Sequence, residues 1–213
     1  MPHPHPMSCE KCGHRQQFTL WQSLNATLNP EEKKSLLKGT LLRFTCEKCG
    51  HSAGLVYPML YHDMPKQLMI WLWPAEGDPE SGELHPTPLM NDYQLRIVPS
   101  PNRLMEKILI FDHDPDDRLI EALKVFIRVR SVDTDQKIEG QLLFASLQSQ
   151  PEKIRFEHLQ GSGVHNVAVP RETYDKLLAG LSARLPPLDS LAGKWVRVDQ
   201  AFGQSLALQL TSR

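Results

Sequence analysis

The sequence lacks a long hydrophobic segment. No stretch of about 18 apolar residues occurs in its 213 residues, so no membrane-spanning helix is expected. The first residues alternate proline with histidine and lack the apolar run of a secretory signal. We therefore expect a cytoplasmic protein whose first six residues form an extended, solvated tail.

The sequence also has little net charge. Its 24 Lys and Arg residues against 25 Asp and Glu residues give a net charge of −1. This balance argues against a general nucleic-acid-binding protein, because such domains usually carry a basic excess. The apolar fraction of 40% excludes a disordered chain, and the length suits one large domain or two small ones.

Cysteine is scarce, and its four copies fall in two matching strings. The first is Cys9-Glu10-Lys11-Cys12-Gly13-His14, and the second, Cys46-Glu47-Lys48-Cys49-Gly50-His51, follows after a long insertion. A spacing of two residues lets one tight turn aim both sulfurs at a single point, and the following glycine allows positive φ. Two such turns predict a closed, structural Zn²⁺ site with the ligands Cys9, Cys12, Cys46 and Cys49.

Other uses of these cysteines are less favoured. A redox Cys-x-x-Cys motif needs one pair at a helix N-terminus, and disulfides are rare in the cytoplasm. An iron centre with the same four thiolates stays open as an alternative. We expect His14 and His51 to lie beside the metal, because the cysteines already complete the ligand set.

Hydrophobic periodicity predicts an α+β protein with an N-terminal zinc-ribbon-like β unit that carries an inserted helix. The helix begins at Asn29-Pro30 and ends at Gly39. A helical segment follows, and then a small α+β C-terminal domain, which divides the chain into domains at 1–130 and 131–213. The predicted strands are 16–21, 41–46, 53–57, 68–73, 93–98, 141–147, 154–159, 164–169, 194–199 and 205–210. The later helices are predicted over 102–111, from about 117, and over 171–185, with Gly203 in a turn between the last two strands.

These motifs resemble the bacterial CpXC family over about residues 7–130. The resemblance rests on the two cysteine strings, the Asn-Pro-Glu helix start, Gly39, the segment Tyr57–Asp63, Asp116-Asp117-Arg118, and Glu121 with Lys124. In that family a proline follows the first cysteine of each pair, whereas this chain has Glu10 and Glu47 there. The substitution removes turn rigidity but no ligand. The resemblance implies a fold and a metal, but no activity.

Three further segments carry residues with possible chemical roles. Residues 112–117 contain His113 and four aspartates, which could hold a second cation or act in acid–base catalysis, but helix capping explains them better. Tyr61-His62-Asp63 is interpreted as a structural turn, and Gly161-Ser162-Gly163 as a hairpin turn. The four tryptophans are expected to pack in the core or at an interface.

Three functions compete. The favoured hypothesis is a non-enzymatic module that binds another protein or itself, since no credible catalytic cluster stands out and no catalytic residue is assigned. The alternative is nucleic-acid binding through residues 9–51, which hold seven basic residues against four acidic ones. An enzyme that uses the cluster around His113 is the least favoured of the three.

Overall fold

The structure is a computed structural model that describes residues 2–74, 90–132, 137–150, 152–181, 185 and 188–211. Its helices and strands confirm the α+β class. The chain divides into two compact units, Met1–Met105 with Ala192–Trp195 and Glu106–Leu191 with Val196–Arg213. The domains predicted at 1–130 and 131–213 stay a prediction.

The elements are given in chain order. The strands are β1 (Pro2–Ser8), β2 (Arg15–Trp21), β3 (Ser23–Asn25), β4 (Arg43–Thr45), β5 (Ser52–Gly54), β6 (Met59–Asp63), β7 (Leu68–Leu72), β8 (Gln94–Val98), β9 (Gln141–Ser149), β10 (Glu152–Gln160), β11 (Gly163–Pro170) and β12 (Trp195–Val196). The helices are α1 (Pro30–Leu37), α2 (Pro101–Asp112), α3 (Asp117–Val132), α4 (Arg171–Leu181) and α5 (Gln200–Thr211), with a short 3-10 helix at Leu188–Leu191. None of the helices in the described ranges combines the length and apolar character needed to cross a bilayer.

The first unit is built around a five-stranded sheet in the order β12-β8-β7-β6-β3. Its strand β7 comes from the most hydrophobic run of the sequence, and four of its five residues are buried. Two small two-stranded ladders, β1-β2 and β4-β5, carry the cysteine strings. The inserted helix α1 begins and ends as predicted, since Asn29 precedes it and Gly39 follows with a φ of +70°.

The segment Tyr61-His62-Asp63 corrects one prediction, because it lies inside strand β6 and not in a turn. Tyr61 and Asp63 point to the buried side, and His62 alternates with them. The buried carboxylate of Asp63 is compensated by the Tyr61 hydroxyl, which donates to it at 3.1 Å, and by the Lys33 ammonium at 3.6 Å. Asp63 therefore ends the segment as a buried carboxylate with polar partners, and not as a turn residue.

The N-terminal Pro-His segment corrects a second prediction. It is extended and mostly exposed, as expected, but it forms strand β1 and pairs with β2 from Pro2↔Trp21 to Ser8↔Arg15. Proline is tolerated there because an edge strand leaves every second N–H without a ladder partner. The strand predicted over 53–57 is shorter than expected and ends at Gly54.

The second unit packs helices α3, α4 and α5 against the antiparallel sheet β11-β10-β9. The apolar face of α3 lies in the core of this unit, together with side chains from the sheet and the other helices. The core includes Leu119, Ile120, Leu123, Phe144, Phe156, Leu177 and Leu206. The predicted hairpin turn is confirmed, since Gly161 and Ser162 connect β10 to β11.

The last predicted strand, 205–210, is wrong, because these residues form helix α5. Gly203 lies within that helix and not in a turn. A Cβ atom at Gly203 would approach the backbone carbonyl of Glu121 to 2.6 Å, so the glycine permits α5 to pack closely on α3. The apolar run Leu206-Ala207-Leu208 fits a strand or a helix equally well when it is viewed alone.

Charged side chains are buried between α2, α3 and β9. Lys124 Nζ lies 2.8 Å from a carboxylate oxygen of Glu106 and 2.7 Å from one of Glu121. Lys107 Nζ lies 3.0 Å from Asp117 and 3.6 Å from Glu121. All five side chains are at most 5% exposed, so each charge depends on its partners for the solvation it has lost.

We expect Lys124→Met to lower the free energy of unfolding by about 3–5 kcal/mol, because Glu106 and Glu121 would keep buried charges without their shared cation. Chemical denaturation monitored by circular dichroism measures the change. Lys176→Met is the matched control, since Lys176 pairs with Glu172 at the surface, with both side chains more than 70% exposed. Equal stability of the two variants would contradict a stabilising role for the buried pairs.

Candidate metal centre

Each cysteine string folds into the same tight turn. In the first, the N–H of Gly13 donates to the carbonyl of Cys9 at 2.8 Å, and the N–H of Cys9 donates to the carbonyl of His14 at 2.9 Å. In the second, Gly50 and Cys46 make the equivalent bonds at 2.9 and 2.8 Å. The glycines have φ angles of +69° and +68°, which only glycine adopts without strain, so each string dictates its own turn.

The two turns bring all four sulfurs to one point. Their Sγ atoms lie within 4.8 Å of one another, although 33 residues separate Cys12 from Cys46 in the sequence. Cys9 Sγ lies 3.6 Å from Cys49 Sγ, and Cys12 Sγ lies 3.6 Å from Cys46 Sγ. Sulfurs around a tetrahedral zinc ion lie about 3.8 Å apart, since each Zn–S bond is about 2.3 Å. The cysteine cluster therefore fits a metal ion of that size and geometry.

Gln16 joins the two turns, and the sequence analysis did not identify it. Its side-chain N–H donates to the carbonyl of Thr45 at 3.0 Å, and its side-chain oxygen accepts from the N–H of Glu47 at 2.9 Å. The side-chain amide of Gln16 thus binds the backbone on both sides of Cys46, at the carbonyl of Thr45 and at the N–H of Glu47. A glutamine two residues beyond the first string is a weak signal in one sequence, because surface strands carry glutamine often.

A small apolar cluster supports the cysteines from one side. Cys9, Phe44 and Cys46 are each at most 3% exposed, and the ring of Phe18 meets that of Phe44 edge to face at 6.3 Å between centroids. Cys12 and Cys49 reach the surface on the other side. The cluster is therefore half covered by hydrophobic side chains and half open, which gives an ion a route of entry.

Without a metal, the thiols of the second string differ in acidity. Burial raises the pKa of Cys46, but N–H donors from Cys49 and Lys48 and bonds from the thiols of Cys12 and Cys49 outweigh it and lower the value to about 7. The N–H of His51 lowers the pKa of Cys49, yet burial and the three other thiols raise it to about 12. The cluster thus favours a first thiolate and resists a further one until a cation compensates the charge.

The histidines considered as ligands do not join the sulfurs. Within the described ranges, the cysteines are the one set of three or more Cys, His, Asp or Glu side chains close enough to share an ion, and neither His14 nor His51 belongs to it. Both histidines contribute backbone carbonyls to the turns. The expectation that they lie beside the metal site and not in it agrees with this geometry.

The acidic cluster around His113 has structural contacts. The Nδ1 atom of His113 lies 2.8 Å from the carbonyl oxygen of Leu109, and its ring packs edge to face on Phe144. Asp116 accepts from the N–H of Arg118 at 2.9 Å and from its guanidinium at 2.6 Å, which is the capping predicted for this segment. Asp117 instead pairs with buried Lys107. These bonds engage Asp116, Asp117 and one ring nitrogen of His113.

The tryptophans divide into two sites. Trp71 contacts Trp73 and Trp195 at ring-centroid distances of 5.4 and 5.8 Å, whereas Trp21 is buried at the end of β2. Such distances are those of rings in direct packing contact. The ring of Trp71 therefore packs against both Trp73 and Trp195, which agrees with the packing role expected for these side chains.

Comparison with known proteins agrees with the geometry. The profile of the family described as CpXC protein matches residues 7–124, which is more than half of the chain. The protein belongs to the CpXC family. No curated protein and no solved structure matches it.

Metal binding at this centre is expected to strengthen as the pH rises. The Cys49 thiol, with its pKa near 12, keeps its proton at neutral pH, so the metal must displace that proton and bulk acid opposes binding. We predict a higher apparent zinc affinity at pH 8 than at pH 6, measured by competition with a chromophoric chelator. Calorimetry in buffers of different ionisation enthalpy should show net proton release, and a pH-independent affinity without release would contradict this prediction.

Proposed function

We propose that the protein holds one structural Zn²⁺ ion with Cys9, Cys12, Cys46 and Cys49 and acts as a non-enzymatic protein-interaction module. The observation that carries the metal assignment is the convergence of four sulfurs within 4.8 Å. Four thiolates without oxygen ligands favour zinc or iron over magnesium, calcium or manganese, and zinc is the usual ion of closed Cys₄ sites with this spacing.

A structural role follows from the ligand number. Four sulfurs complete a tetrahedral shell, so an ion bound there keeps no position for an activated water molecule or a substrate. Its effect is to connect the chain before α1 to the chain after it, across a loop whose closure costs conformational entropy. The exposed residues Lys11, Arg15 and Lys48 lie close in sequence to the thiolates and offset part of their charge of about −2.

The interaction role is supported by the chain's exposed apolar side chains. Asp116 caps helix α3 and Asp117 pairs with buried Lys107, whereas large hydrophobic side chains stay exposed in the described ranges. The exposed set comprises Leu28, Val56, Met64, Val129, Val132, Val164, Leu178 and Leu208. Exposed apolar side chains suit recognition of another protein more than catalysis.

Metal analysis of the reduced, full-length protein tests the proposed ligands. We expect one zinc ion per chain, and we expect Cys49→Ser to weaken zinc binding by more than about 100-fold, because losing a ligand should cost more than losing a neighbour of one. His51→Ala is the matched control, since His51 stands two residues away and lies outside the sulfur cluster. Inductively coupled plasma mass spectrometry and thermal unfolding provide the measurements.

Three outcomes would contradict the metal assignment. They are a reduced protein without metal, iron in place of zinc, and loss of zinc from His51→Ala but not from Cys49→Ser. A mobility-shift assay of the zinc-loaded protein with nucleic acid tests the interaction role separately. A salt-dependent shift would favour the alternative, nucleic-acid binding through the basic excess of residues 9–51.

A further inference from the structure

The three-stranded sheet of the second unit has two very different edges. At one edge, strand β9 is covered, because the N–H of Phe144 donates to the buried carboxylate of Glu106 at 2.7 Å. Glu106 is held in place by Lys124, so the outward amide of the strand is satisfied by a fixed partner. This edge is closed to a further strand at that position.

At the other edge, strand β11 is open. Its ladder with β10 runs from Gln160↔Gly163 to Lys153↔Pro170 without interruption. The two-residue turn makes Gln160 and Gly163 a hydrogen-bonded pair, so alternate residues of β11 direct their N–H and C=O groups away from β10. These residues are Val164, Asn166 and Ala168, and no group in the described ranges hydrogen-bonds to their backbone.

The open edge lacks the usual protection against strand pairing. Residues 163–170 include no Lys, Arg, Asp or Glu, and the ladder with β10 contains no bulge, whereas the ladder between β9 and β10 contains one. The single proline, Pro170, stands at the end of the strand next to α4. Val164 is 58% exposed beside this edge. Natural edge strands that remain alone usually carry charges, prolines or bulges.

We propose that β11 is a self-association surface, at which a second copy of this chain adds its own β11 antiparallel to form a continuous six-stranded sheet. The two-fold axis would pass through Asn166. In that register each copy donates three N–H groups, from Val164, Asn166 and Ala168, to carbonyls of the other. Val164 would cover Ala168 of the second copy, and the two Asn166 amides would face each other.

The chemistry of the edge argues for a second copy as the occupant. A two-fold axis through Asn166 brings the two strands together in antiparallel order, so like charges along the edge would repel each other, whereas residues 163–170 include no Lys, Arg, Asp or Glu. The centre at Asn166 also pairs Val164, Asn166 and Ala168 of one strand with the same three residues of the other. Moving the centre by one residue to either side leaves one of these three unpaired. The inference rests on the proposed function, which is binding to a protein. It specifies that the bound protein is a second copy of the same chain.

Sedimentation analysis of the zinc-loaded, full-length protein over a range of concentrations tests the proposal. We expect a monomer–dimer equilibrium whose dissociation constant rises about tenfold or more in Val164→Lys, because two ammonium groups would then border the pairing edges. Val129→Lys is the matched control, since Val129 in α3 is 60% exposed and receives the same charge. Asn166→Pro is a second variant, which removes an outward N–H that β10 does not use.

A dimer that Val164→Lys and Asn166→Pro weaken and Val129→Lys preserves would support the proposal. A monomer at all concentrations, or a dimer that Val129→Lys weakens and Val164→Lys does not, would overturn it. Circular dichroism and zinc content of each variant show that the fold is retained. If the protein binds zinc but stays monomeric, the β11 dimer is wrong and the metal assignment stands. If the protein dimerises without metal, the metal assignment is wrong and the β11 dimer stands.

Discussion

The convergence of four cysteine sulfurs is the constraint on which the first unit depends. The two turns that carry them are fixed locally by glycines with positive φ, but their meeting is a long-range event that spans the excursion through β3 and α1. Apolar cover from Phe18 and Phe44 and the amide bridge of Gln16 hold the two turns together as well. The metal-binding geometry is thus supported by contacts that need no metal, which favours a site that is arranged before an ion binds.

The convergence of the four cysteines was predictable because its information is local and repeated. Each string specifies one turn, and two identical strings specify a shared site. The α+β class and most strands were equally accessible, since hydrophobic periodicity and turn residues agree along residues 16–21, 68–72 and 141–170. Gln16 was not predictable, because its importance arises from two backbone groups about 30 residues further along the chain.

The wrong predictions have a common physical origin. In each, a residue type that is typical of turns lies inside a strand or helix because a contact distant in sequence makes it favourable there. Asp63 suggested a turn until Tyr61 and Lys33 were seen to satisfy its carboxylate within a strand. Gly203 suggested a turn until its missing Cβ was seen to permit close packing of α5 on α3. In each case the residue that looked like an interruption is required by a neighbour that sequence spacing does not reveal.

The buried ion pairs bear on how the chain can be divided. The family match ends at residue 124, within helix α3, whereas the amide that Glu106 binds belongs to Phe144 and the stripe of α3 packs against strands beyond that point. A fragment cut at the family boundary would expose Leu119, Ile120 and Leu123 and leave Glu106 with one partner fewer. The region matched by the family profile is therefore too short to cover its own last helix. A fragment that folds on its own would have to extend through α5, which packs on α3 and contributes Leu206 to the core.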